Sequence, residues 1–64
     1  MPRNSEISAT IDEWVQGERD RKILKRIMID RRTHEQIAEE MEISSRTVDN
    51  VTRRWRSVIT SQLP

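Results

Sequence analysis

Apolar residues recur along the chain at helical spacing, three and four apart, and nowhere in the strict alternation of a half-buried strand. Ile7, Ile11, Trp14 and Val15 fall at i, i+4, i+7 and i+8. Thr10 with Glu13 forms a capping box if the helix begins there, and Gly17 ends or kinks it. From Glu18 to Asp30, Ile23, Leu24, Ile27 and Met28 make one apolar stripe, with Arg19, Arg21, Lys22, Lys25 and Arg26 on the remaining surface. This is the clearest amphipathic helix of the chain.

Thr33-His34-Glu35-Gln36 reads as a second capping box, which starts a helix near His34 with Ile37, Ala38 and Met41 on its apolar face. Ile43 follows Met41 by only two residues and breaks the rhythm, so Glu42-Ile43-Ser44 is a turn with a buried tip. Ser44 then caps a final helix, about 15 residues and roughly 22 Å long, whose apolar face is Val48, Val51, Trp55, Val58 and Ile59. Pro2 and Pro64 sit at the two ends and Gly17 is the sole glycine, so nothing between them forbids helix. The polar ends, Met1 to Glu6 and Ser61 to Pro64, are expected to fray. The pattern predicts an all-α fold, a single domain over residues 1–64 made of three or four helices.

Composition narrows the function. With 64 residues, 33% hydrophobic and 36% charged, the chain holds one small core and little volume for a catalytic pocket. It has no cysteine and one histidine, which removes disulfides and thiolate zinc sites, and no cofactor or metal is expected. The longest apolar run, Ile27-Met28-Ile29, is far short of the roughly 18 residues that mark a membrane span, and Met1 to Ser8 has no signal-like stretch. A soluble, cytoplasmic protein is expected. Net charge is only +1, but it is segregated: residues 1–34 carry a surplus of bases, 35–43 carry Glu35, Glu39, Glu40 and Glu42 with no base, and 44–64 set four arginines against Asp49. A domain with one face for phosphate and an acidic face turned away from it has this distribution.

Two short capped helices joined by a tight turn make a helix-turn-helix, here over about residues 34–56. Ile37-Ala38 supplies the large and small residues needed where the two helices cross. Met41 and Ile43 bracket the turn, and Val48 and Val51 close the second helix onto the first. On Arg21-Lys22-Ile23-Leu24, Glu35-Gln36-Ile37-Ala38-Glu39-Glu40-Met41 and Ile43-Ser44-Ser45-Arg46-Thr47-Val48, the stretch from Glu18 to Ile59 resembles bacterial helix-turn-helix domains of two kinds: LuxR-type output domains and the promoter-binding fourth region of sigma factors. The lead-in from Ile11 to Arg19 is similar to that of small phage or mobile-element proteins with a sigma-like helix-turn-helix. Relatives usually carry glycine in the turn, where this chain has Glu42, and often before the first motif helix, where it has Arg31-Arg32.

The resemblance implies binding to double-stranded DNA, with the helix from Ser44 to Arg56 in the major groove and the helix before it across the backbone. With Val48 and Val51 turned inward, Ser45, Arg46, Asp49, Asn50 and Arg53 occupy the outer face. Arg46 and Asn50 are the candidate base readers, since arginine matches guanine and asparagine matches adenine through paired hydrogen bonds. Asp49, a further candidate DNA contact, either accepts from a cytosine amine or, the favoured role, pairs with Arg46 or Arg53 along the helix to hold them in place. Arg53, Arg54 and Arg56, farther along, join Thr47, Arg31 and Arg32 as candidate phosphate anchors. Trp14 and Trp55 are read as core or dimer anchors, and His34 as a helix-start surface residue without an acid-base partner.

The expected function is sequence-specific DNA binding by a small transcription regulator, not enzymatic. The acidic face suits RNA polymerase as a basic partner, and Trp55, Val58, Ile59 and Leu63 suit either a homodimer surface or closure of the monomer core. A packaging or recombination accessory, and a protein-interaction module on the same scaffold, are the competing readings.

Overall fold

The structure, a computed structural model, describes residues 3–63. Four helices follow one another, α1 (Asn4–Trp14), α2 (Glu18–Met28), α3 (His34–Met41) and α4 (Ser45–Gln62), with no strand among the described residues.

Helix α1 starts seven residues earlier than a cap at Thr10 requires. Ile7 joins Ile11 and Val15 in the core, so apolar spacing of four extends the helix back to Asn4. Thr10 is no cap: its hydroxyl donates to the Glu6 carbonyl, 2.8 Å away, one turn back within α1. Fraying is therefore not what the chain does from Asn4 to Glu6, while Met1, Pro2 and Pro64 lie outside the described residues. The α1–α2 corner is closed by Arg21, whose Nε donates to the Val15 carbonyl at 2.8 Å and whose Nη2 donates to the Asp12 carbonyl at 3.1 Å. These bonds satisfy carbonyls that the end of a helix leaves unpaired. Gly17 caps α2 at φ 96°, a backbone state that side chains disfavour.

The link from α2 to α3 turns through Arg31 in the left-handed region at φ 56°. The Thr33 capping box then forms as its spacing predicts: the Gln36 amide donates to Thr33 Oγ1, and the Thr33 amide to Gln36 Oε1, both at 3.1 Å. After Met41 the chain passes through Glu42 at φ 56° and ψ 43°. There the Ile43 amide reaches the Ala38 carbonyl at 2.9 Å, and the Glu42 amide bonds the Ala38 and Glu39 carbonyls. This is the left-handed helix stop in which glycine is the usual residue. Ser44 caps α4 by accepting from the Thr47 amide at 3.2 Å, and α4 runs 18 residues, longer than its apolar pattern implies.

The strain at Glu42 makes a prediction. Glu42→Gly removes the Cβ penalty of the left-handed state and a negative charge from the C-terminus of α3, and is expected to stabilise the domain by up to about 1 kcal/mol. A urea titration should show a higher midpoint at unchanged slope. A lower midpoint would mean that glycine's added freedom in the unfolded chain outweighs the strain.

All four helices feed one core. Ile7, Ile11, Val15, Ile23, Leu24, Ile37, Ala38, Val48, Val51 and Ile59 form a single cluster, and Ile27, Met28, Ile29, Met41, Ile43, Trp55 and Leu63 pack around it half-buried. Each large apolar side chain removed from water contributes about 1.5–3 kcal/mol. Ala38 fills the small position expected at the α3–α4 crossing and is 8% exposed. The two tryptophans, both read as core or dimer anchors, differ in burial. Trp55 is half-buried against the core, but Trp14, at the last residue of α1, is 42% exposed and stands outside the core cluster.

Candidate nucleic-acid interface

Burying Val48, Val51 and Ile59 fixes how α4 is rotated, and thereby which side chains it turns outward. Arg46, Asn50 and Arg53, at i, i+4 and i+7, form one exposed stripe, with Ser45 and Ser57 also exposed. Among the described residues no ion pair or side-chain hydrogen bond engages Arg46 or Asn50, so their donors and acceptors face solvent unspent.

Asp49 sits beside the stripe, half-buried. Its Oδ2 lies 3.1 Å from Arg53 Nε, one turn along the same helix, and its Oδ1 lies 3.8 Å from His34 Nδ1 at the start of α3. Of the two arginines expected to pair with Asp49, the structure selects Arg53. His34, expected to stand alone, has an acidic neighbour that only tertiary folding brings near.

The flank of α4 facing α2 has a different character. Arg19, Asp20, Thr47, Asn50, Val51 and Arg54 line a shallow notch of about 190 Å³. Asp20 organises it: its Oδ2 accepts the Trp55 indole N–H at 3.1 Å, and its Oδ1 accepts from Arg19 Nε and Nη2 at 3.3 Å. The Arg54 guanidinium lies 5.4 Å from the centre of the Trp55 ring, within cation–π range. Thr47, half-buried, shares a 2.8 Å hydrogen bond with the capping Ser44 hydroxyl. Arg19 was not among the residues that sequence reasoning singles out. Its only local signal is its place in the first turn of α2, and its approach to α4 is a tertiary fact.

The remaining basic candidates divide. Arg31 is exposed on the left-handed bend before α3. Arg32 is committed elsewhere: its Nη1 donates to both carboxylate oxygens of Glu40, at 2.7 and 2.8 Å, and Arg26 adds a longer contact of 3.8 Å to the same group. Arg56 points along the other flank of α4, where with Leu24, Ile27, Met28 and Thr52 it lines a groove of about 240 Å³. Glu40 is thus tied to bases, whereas Glu35, Glu39 and Glu42 are exposed on and just after α3. Ile59 belongs wholly to the monomer core, and Trp55 and Leu63 pack against it.

The helix-turn-helix formed by α3, a three-residue turn and α4, braced by α2, coincides with a family match: residues 18–56 fit the model described as sigma-70, region 4. That span opens on the first residue of α2, closes two thirds of the way along α4 and covers more than half of the chain. The chain belongs to the sigma-70 region 4 family. Sigma-70 region 4 is a helix-turn-helix DNA-binding domain and not a catalytic one. No curated protein and no solved structure matches the chain. Beyond the sigma-70 region 4 span lie α1, which supplies the core residues Ile7 and Ile11, the Val15 that follows it, and the last turns of α4. No helix among the described residues is long and apolar enough to cross a membrane.

Proposed function

We propose that the chain is a sequence-specific reader of double-stranded DNA acting as a small transcription regulator. The carrying observation is the exposed, unpaired pair Arg46 and Asn50 on the outer stripe of α4, one turn apart within the first turns of the helix. Arg46 offers a two-pronged donor to guanine O6 and N7, and Asn50 offers a donor and an acceptor to adenine. Ser45 stands beside them at the start of α4. Thr47, Arg54 and Arg19 line the notch on one side and suit a backbone phosphate, with the Trp55 ring holding Arg54 in place. Arg31 and Arg56 suit phosphates on the other flanks, and Arg32 does so only by giving up Glu40.

One such domain contacts few base pairs, which supports use as half of a two-site arrangement or as part of a larger assembly. The free carboxylates Glu35, Glu39 and Glu42 fit a basic protein surface such as one on RNA polymerase.

The test is fluorescence anisotropy against a randomised duplex pool at several salt concentrations, with the retained DNA sequenced. The expected result is an enriched motif. With three to five phosphates neutralised, log K should fall against log salt with a slope of about −3 to −4.5. Binding that never appears, even at low salt, would replace this reading with a protein-interaction module using the acidic face.

A further inference from the structure

We infer that Arg53 reads a guanine and that Asp49 is the positioning residue that makes it a reader. The inference rests on the DNA-reading function proposed for α4. Arg53 is the ninth residue of α4, so its Cα stands about 12 Å along the axis from Ser45, beyond the turns that dock deepest in a groove. Taken from its Cα alone it belongs with the phosphate anchors.

The ion pair changes that assignment. Asp49 precedes Arg53 by four residues, and Arg53 Nε lies 3.1 Å from Asp49 Oδ2. Helical side chains lean toward the N-terminus, and this contact draws the guanidinium back by about one turn, some 5–6 Å, to the level of Asp49 and Asn50. The two partners are unequal in freedom: the Arg53 side chain is 78% exposed and that of Asp49 38%. The carboxylate is the fixed half. It is anchored in the domain by its partial burial and faces His34 of α3 at 3.8 Å on its other oxygen.

Chemistry then decides what Arg53 presents. Guanidinium has five N–H donors in a rigid plane. With Nε held beside the carboxylate by charge, the terminal amino groups are left outward, and their parallel N–H bonds match guanine O6 and N7. Asp49, by contrast, has its charge matched by Arg53 and serves no base directly. Its charge also opposes phosphate, so an unpaired carboxylate here lowers affinity for every sequence. Pairing it with Arg53 cancels that charge and turns a repulsive group into a brace.

This arrangement has a signature that a purely structural ion pair lacks. Removing Asp49 relieves repulsion and frees Arg53 to swing toward phosphates, so binding to unrelated DNA should hold or strengthen while discrimination falls. The experiment selects from a randomised duplex pool with the wild type, Asp49→Ala, Asp49→Asn and Arg53→Ala, then titrates single-base-pair variants of the preferred site. Thermal melts confirm that each variant is folded, the exposed Arg53 and the half-buried Asp49 both lying outside the apolar core.

The expected result is one guanine position lost in both Arg53→Ala and Asp49→Ala, with preference there dropping between about five- and a hundredfold. Positions read by Arg46 and Asn50 should be unchanged. Asp49→Asn, which keeps a polar oxygen beside Nε but loses the charge, should keep part of the preference. Retention of every position in Arg53→Ala overturns the inference and leaves the DNA-reading function standing. Uniform weakening of all positions in Asp49→Ala overturns it too, assigning the pair to support alone. A wild type that enriches no motif overturns both.

Discussion

Ile11→Ala is expected to lower stability by about 2–5 kcal/mol, although Ile11 lies outside the matched region 4 span. Ile11 is fully buried, and α1 packs against both α2 and α4. A 64-residue chain buries a small fraction of its surface compared with larger domains, and its total stability is of order 3–10 kcal/mol. The loss therefore takes a large part of the whole. For a domain of this size it corresponds to a melting temperature lower by roughly 10–30 °C, and DNA binding should fail with the fold near physiological temperature. Glu13→Ala, exposed on the same helix, is the control and should change stability by no more than about 0.5 kcal/mol. Circular dichroism melts of the two variants give the answer. If Ile11→Ala melts with Glu13→Ala, α1 is an appendage, and Ile23, Leu24, Ile37, Val48, Val51 and Ile59 make a sufficient core without it.

The second large effect separates reading from anchoring. Arg46→Ala should weaken the preferred site by about 1–3 kcal/mol and relax preference at the base pair it touches, while unrelated DNA loses only the share due to one charge. Arg46 stands in the first turn of α4 with no partner to compete for its guanidinium, so nothing is freed to compensate. Arg54→Ala should instead weaken all sequences alike and reduce the salt slope by about 1. Arg54 also contributes its contact over the Trp55 ring, worth about 0.5–1 kcal/mol at an exposed site, so its variant needs a melt alongside the titration. Parallel titrations of preferred and scrambled duplexes at three salt concentrations distinguish the cases. Equal losses from both variants on every duplex would remove the distinction between the two arginines.

Local chemistry made much of this fold legible. Thr33 with Gln36, and Ser44, carry helix starts in their side chains. The break between Met41 and Ile43 marks a turn because no single helical face holds both. The stripe through Val48, Val51 and Ile59 fixes which way α4 faces, and with it Arg46, Asn50 and Arg53. Thr10 misled for a physical reason: a threonine hydroxyl serves a cap or its own helix, and Ile7, one turn earlier, had enough burial to extend the helix past it. Trp14 is not a core residue, because an apolar position predicts a face and not how far a neighbour will cover it. The features that sequence spacing did not convey are tertiary. Arg21 crosses back to the end of α1, Arg32 bends to Glu40, His34 meets Asp49 across two helices, and Asp20 gathers Arg19 and Trp55. Each joins residues whose separation is fixed only once the helices have docked, so periodicity carries no trace of them.

The placement of the two indoles gives the molecule a built-in optical gauge. The chain has no tyrosine and no phenylalanine, so its near-ultraviolet signal comes from Trp14 and Trp55 alone. Trp14, 42% exposed at the end of α1, has no hydrogen bond among the described residues to tie it to the α2–α4 seam and would blur its signal. Trp55 sits at the α2–α4 seam, hydrogen-bonded to Asp20 and overlain by Arg54. With Trp14 replaced by phenylalanine, emission from a single ring would follow both the docking of α2 on α4 and any movement of Arg54 toward a phosphate, in unlabelled protein and in real time.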